Sequence, residues 1–131
     1  GIPVTHRDVN HTVTFLTGHD SNGIVPDRID WPSIAKGSPV IVMYMAMKHI
    51  ATITQRLIEA GRKPQEPVAI VCNATTEQQQ VLVTSLANAE KDLIVAGLSP
   101  PAIVVVGDVV SLRQTLDWMS PVDVSIAASD V

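Results

Sequence analysis

Three methionines in five residues, Met43, Met45 and Met47, are the densest cluster of unusual chemistry in this chain. Their thioethers are soft, unbranched and polarizable, able to lie against a flat ring or another sulfur, and equally able to fill gaps in a core. They sit where the apolar run Val40-Ile41-Val42 ends and a helical pattern carrying Lys48 begins. A strand that empties into a helix is where open α/β sheets place ligands, so this junction is the first candidate site. Other reactive residue types are sparse. The single cysteine, Cys72, lies in an apolar run with no partner base nearby in sequence, which suits a small core residue better than a nucleophile. The four histidines (His6, His11, His19 and His49) lack zinc-like spacing with carboxylates or cysteine, so no metal is expected. There is no phosphate-binding loop, no GxGxxG and no HExxH. No Ser/His/Asp set can be assigned.

The elements that position this junction follow from periodicity. Residues 12–17 alternate and are rich in β-branched side chains, predicting a first strand. A turn at Gly18-His19-Asp20 follows it. A short helix starts at Asp30 as N-cap, with Pro32 in its first turn, and stops at Gly37. The second strand covers 39–44. A helix over about 47–60 then turns Ile50, Ile53 and Leu57 to one face, with Gly61 beyond its end. Arg62 and Lys63 fall near the negative end of that helix dipole. Residues 67–72 are apolar throughout and read as a central third strand. Thr75 to Gln78 has the spacing of a capping box. A fourth strand is predicted over 79–85, a helix through Leu86, Ala89, Leu93 and Gly97, and a fifth strand over 102–106. A last helix is predicted to face inward with Val109, Leu112, Leu116 and Met119. The expectation is an α/β, three-layer domain with five strands. Because a helix joins strands two and three, a parallel crossover is expected to set them side by side, with Met45 and Ala74 on one rim.

Composition bounds the partners. The 131 residues suffice for one domain with a proper core, and 46% are apolar but only 3% aromatic, so that core is aliphatic. A net charge of −4 with nine scattered basic residues and few rings excludes a nucleic-acid surface. No apolar run reaches membrane-span length, so no membrane partner is expected and no secretory leader is read. The lone thiol argues against a disulfide framework and for a cytoplasmic location. The start at Gly1-Ile2-Pro3, without an initiator Met, suits a processed product or a piece of a longer protein.

Five segments together resemble one family. Gly1-Ile2-Pro3-Val4-Thr5-His6-Arg7 is similar to the GIPLTHR segment of the uroporphyrinogen-III C-methyltransferases, within the tetrapyrrole methylases. Val13 to His19 resembles their VTFVTGH run, and Tyr44-Met45 with Lys48 resembles VYMG(L/M)K. Residues 67–76 and 100–110 resemble PVAVVERATT and PPALIVVGEVV. The order and spacing match almost to Trp118. The resemblance implies the second (C-terminal) domain of a two-domain fold, over residues 1–120, with a mixed five-stranded sheet. Beyond it the sequence has no periodicity, so a frayed tail is expected at 121–131. A missing N-terminal domain with a glycine-rich loop would form the other wall of the cleft.

It also implies chemistry: S-adenosyl-L-methionine as cofactor, and methyl transfer to C2 and C7 of a tetrapyrrole substrate to give precorrin-2, for siroheme or cobalamin. Carried over residue by residue, Met45, Ala74, Thr75, Pro101 and Ala102 would touch the cofactor, and Arg7 would pair with substrate carboxylates. Plainer readings stand beside these: Met45 as core, Arg7 as ion-pair partner of Asp8, Ala74 and Ala102 as packing, Lys48 as a solvated helix residue. No catalytic proton acceptor is firm, so the isolated chain is expected to be inactive. Family members are homodimers, and a bare cleft wall carrying the methionines should self-associate, so a homo-oligomer is expected. One departure is Ala46 where the family has glycine; were φ positive there, alanine would be strained. Two alternatives remain: another precorrin methylase of this fold, or a stand-alone non-catalytic ligand-binding module.

Overall fold

In the computed structural model, residues 1–118 are described; the tail expected at 121–131 and the Met119 expected to face inward lie outside them. Five strands form one sheet in the order β1-β2-β5-β3-β4. They are β1 (Thr14–Thr17), β2 (Ile41–Tyr44), β3 (Pro67–Cys72), β4 (Gln80–Ser85) and β5 (Ala102–Val106). β1 runs parallel to β2, and the β2–β5, β5–β3 and β3–β4 pairs are antiparallel, so the sheet is mixed. This is the expected fold class.

β2 and β3 are not neighbours. The expected side-by-side crossover is corrected by β5, which inserts between them and bonds to both. The physical reason is that Ala-Ile-Val-Val-Val is apolar on both faces, with Val104, Val105 and Val106 all buried, and such a strand belongs inside a sheet. β2 and β3 still point the same way, because each is antiparallel to the strand between them.

One face of the sheet carries α1 (Trp31–Gly37), α2 (Ile50–Glu59) and α3 (Ala89–Ala96). Ile41 and Met43 of β2, Ile53 and Leu57 of α2 and Leu93 of α3 interlock there. Asp30 caps α1: its carboxylate accepts from the Ser33 N–H at 3.1 Å and the Ser33 hydroxyl at 2.7 Å. The helix expected over about 47–60 opens as a 3₁₀ turn (Met47–His49) before α2. It closes on Gly61, at φ +106°, with the Gly61 N–H on the Ile58 carbonyl and the Arg62 N–H on the Leu57 carbonyl, both 3.0 Å. That paired closure is the Schellman arrangement, which needs a left-handed residue where the glycine stands.

The second face is covered more thinly. The predicted last helix is split into a 3₁₀ segment (Asp108–Leu112) and a single turn, α4 (Arg113–Leu116). Val109 and Val110 are buried against Val40, Val42, Ala69 and Val105, with Ile2 packed alongside. Leu116, expected to face inward, is exposed. The Thr75-to-Gln78 pattern caps no helix; it forms part of a turn in which Gln79 accepts from the Thr75 N–H at 2.7 Å. Among the described residues no helix is long and apolar enough to cross a membrane.

Candidate functional site

A cavity of about 580 Å³ lies at one rim of the sheet. The C-terminal ends of β2 and β3 and the beginning of β5 meet there because β5 is antiparallel to both. The register makes them level: Tyr44 and Val71 both oppose Ile103, and Cys72 opposes Ala102. Met45, Ala74, Pro101 and Ala102, from three separate segments, therefore line one space. Met47, Lys48, Asn73 and Thr76 border it too, as does His19 from the exit of β1. Thr75 is exposed between lining residues without lining the space itself, and Arg7, exposed on a turn, does not line it either. Of the three methionines, Met43 is buried among the helices and belongs to the core, Met47 is half-buried and Met45 is 52% exposed.

The backbone of this rim is unusual. Among the described residues, the non-glycine positions with positive φ are Met45 (53°), Asn73 (47°) and Thr75 (69°), all at the two strand exits. A left-handed conformation costs a residue with a Cβ about 1–2 kcal/mol. Such strain persists only where surrounding contacts enforce it, and it concentrates at ligand sites. Here the contacts are explicit. The Tyr44 carbonyl accepts from the Gly18 N–H at 2.7 Å, the Met45 carbonyl lies 3.0 Å from His19 Nδ1, and the Ala46 carbonyl accepts from the His49 N–H at 3.1 Å. At the other exit, the Asn73 N–H donates to the Pro101 carbonyl at 3.0 Å, and the Thr76 hydroxyl donates to the Asn73 carbonyl at 2.8 Å. Ala46 itself sits at φ −98° and is fully buried, so alanine in place of the family's glycine carries no left-handed strain. The glycine the rim does require is Gly18, where a Cβ would fall 2.4 Å from the Ala46 Cα.

The walls are mainly apolar, with His19, Lys48, Asn73 and Thr76 supplying polar groups. That balance suits a cofactor-sized organic molecule with a few fixed hydrogen bonds. Nucleophilic chemistry at Cys72 is not supported: the residue is 1% exposed, and burial raises its thiol above the ordinary range. Among the described residues no cluster of three His, Cys, Asp or Glu could hold a metal ion. Asn73 and His19 are the features sequence reasoning underrated. Asparagine's tolerance of the left-handed region was a usable signal for Asn73. A smaller cavity of about 260 Å³ opens on the second face of the sheet and shares Tyr44, Val71 and Ile103 with the first. Phe15 and Tyr44 stack beside it with centroids 6.3 Å apart.

A mixed five-stranded sheet with an apolar cavity at its strand-end rim defines an α/β domain with a candidate ligand site. The chain belongs to the tetrapyrrole (corrin/porphyrin) methylases, whose family pattern matches residues 1–90. It is 68% identical over 130 residues to a uroporphyrinogen-III C-methyltransferase from a Sinorhizobium species, covering 99% of this chain and 46% of that relative. It is 39% identical to a siroheme synthase from Pseudoalteromonas atlantica, over 90% of this chain and 25% of that one. Among solved structures it is similar to uroporphyrin-III C-methyl transferase from Thermus thermophilus complexed with S-adenyl homocysteine. That similarity has a TM-score of 0.70 and 27% identity, and covers 85% of this chain and 48% of the other. The chain thus spans half or less of the length of these relatives.

Proposed function

We propose that the intact protein carrying this chain is an S-adenosylmethionine-dependent uroporphyrinogen-III C-methyltransferase. It would methylate C2 and then C7 of the tetrapyrrole to give precorrin-2, with this chain supplying one wall of the cleft. The observation that carries the reading is the convergence of Met45, Ala74, Pro101 and Ala102 on one cavity, in a chain 68% identical to a methyltransferase of that name.

The residues present fit the cofactor. Ala74 and Ala102 have only a Cβ to offer, so a flat ring can approach the backbone closely there, and Asn73 and Thr76 supply polar groups beside it. The thioether of Met45 offers a soft surface to an adenosine ring or a neighbouring sulfur. S-adenosylmethionine supplies an activated methyl on a sulfonium that leaves as a neutral thioether. What this wall contributes is alignment and exclusion of water, and holding reacting atoms in line accounts for much of the rate in such a displacement. Arg7, on its exposed turn, is free to meet a substrate carboxylate once the other wall of the cleft is present. Thr75 would act through the backbone turn that shapes the rim. The remaining partners in this reading are an N-terminal domain and a second copy of the protein, in the cytoplasm.

Transfer of labelled methyl from S-adenosylmethionine to uroporphyrinogen III tests the reading. The intact protein should form a dimethylated product, and the 131-residue chain alone should show no turnover. Labelling only of a later precorrin would place the protein elsewhere in the family. No labelling of any tetrapyrrole would favour a non-catalytic binding module.

A further inference from the structure

The exit of β2 is held by three donors on three successive carbonyls. Gly18 takes the Tyr44 carbonyl through its N–H, His19 takes that of Met45, and His49 takes that of Ala46 through its N–H. Only the His19 donor is a side chain. It is also the one that acts on the left-handed residue, Met45 at φ 53°, whose side chain lines the cavity. A carbonyl oxygen can only accept, so His19 Nδ1 carries a proton. Neutral and protonated imidazole can both present that N–H, so the clamp does not depend on the charge of the ring.

His19 is itself seated. Gly18 packs directly on Ala46, leaving no room for a Cβ, which fixes where residue 19 begins. The His49 ring meets the His19 ring edge-on at 6.3 Å. His49 is anchored in turn by Nε2, which donates to the Gly23 carbonyl at 2.8 Å. A donor rigidly supplied by one strand thus opposes the relaxation of a disfavoured residue at the end of the next.

We infer that His19 is a positioning residue. Its Nδ1–H locks Met45 in the left-handed conformation that presents the thioether to bound S-adenosylmethionine. This rests on the function proposed above for the cofactor, but the local part, that His19 fixes Met45, does not. Without the donor, Met45 gains a route to an ordinary backbone conformation and its side chain leaves the cavity wall. Asparagine can place its side-chain N–H close to where His19 Nδ1 stands, so it should replace the clamp where alanine cannot.

The test uses the intact protein as wild type, His19→Ala and His19→Asn. It measures S-adenosylhomocysteine affinity by calorimetry, the melting temperature, and the ¹³C-methyl resonance of Met45 without ligand. His19→Ala should weaken binding about tenfold, the loss expected from about 1.4 kcal/mol, and should shift the Met45 methyl toward its position in an unfolded chain. His19→Asn should bind within about threefold of wild type and keep the Met45 resonance, with all three proteins melting at similar temperatures. The inference is overturned if His19→Ala binds as wild type, if asparagine fails as badly as alanine, or if weaker binding simply follows a lower melting temperature. Should the wild type not bind S-adenosylhomocysteine at all, the functional reading fails. The Met45 methyl then decides the local claim alone, and an unmoved resonance in His19→Ala sinks it.

Discussion

Met45 combines a strained backbone with an exposed side chain, and its substitutions should separate the two. In ordinary backbone glycine is less stable than alanine, because it loses more freedom on folding. At φ 53° the order reverses, since only the residue without a Cβ escapes the left-handed penalty. Met45→Gly should therefore be about 1 kcal/mol more stable than Met45→Ala in urea denaturation, although both lose the thioether. Equal stability, or alanine ahead, would mean that the rim is not strained. At Cys72 the expectation concerns reactivity. A thiol that burial holds above its ordinary range stays protonated and inaccessible, so it should resist alkylation at pH 8 in the folded protein and react promptly in denaturant. The stability that its neutral form contributes is fully present below the unfolded thiol's range and is lost as pH rises through the raised one. Much of this scale was legible beforehand. Met45, Ala74, Pro101 and Ala102 were singled out by the family resemblance, and the fold brings them to one cavity. The turn that carries His19 was legible at the exit of the first strand, but its bond to Met45 was not, because a bond between residues 26 apart depends on which strand ends meet.

The elements were legible in type and less so in arrangement. Each predicted strand forms, with edges moved by up to two residues, because alternation and β-branching act locally. Sheet order did not follow. β2, β3 and β5 are all apolar runs, and nothing local says which of them lies between the other two; only the pairing of distant strands decides it. The last helix departs in the same way: its 3₁₀ segment buries Val109 and Val110 together, a pair that the expected single stripe through Val109, Leu112 and Leu116 does not contain. Arg62 shows the same gap between local and distant roles. Its position suggested a dipole partner for α2, but its guanidinium reaches the Ala35 carbonyl at 3.0 Å and the Ser38 carbonyl, and it pairs with Glu66. It fastens the end of α1 and the approach to β2 to the loop before β3, with the paired side chains only 10% and 13% exposed. Arg62→Met should cost about 3 kcal/mol by denaturant melting, because it leaves the Glu66 carboxylate largely buried without a partner. A loss under 1 kcal/mol would show the pair to be effectively solvated.

At the scale of the whole molecule, the apolar surface left bare differs from the expected methionine patch. Met43 is core, while Phe15 (61% exposed), Ile94 (72%) and Val95 (79%) are open to solvent, as is Met45 at the cavity. Of these, Ile94 and Val95 adjoin on α3 and Met45 borders the cavity, and each place offers an apolar contact for association. Sedimentation of the 131-residue chain across a concentration series should reveal dimers or larger species; a clean monomer at high micromolar concentration would remove that expectation. Met45→Glu should weaken association only if the cavity rim is the contact.

The central claim is that the rim where β2 and β3 end and β5 begins is one wall of a cofactor cleft. A crystal structure of the intact protein with S-adenosylhomocysteine tests it most directly. The ligand should lie in the larger cavity, with Met45, Ala74 and the Pro101-Ala102 backbone against it. Density for the ligand anywhere else, such as the smaller cavity beside Phe15 and Tyr44 on the second face of the sheet, would contradict the assignment.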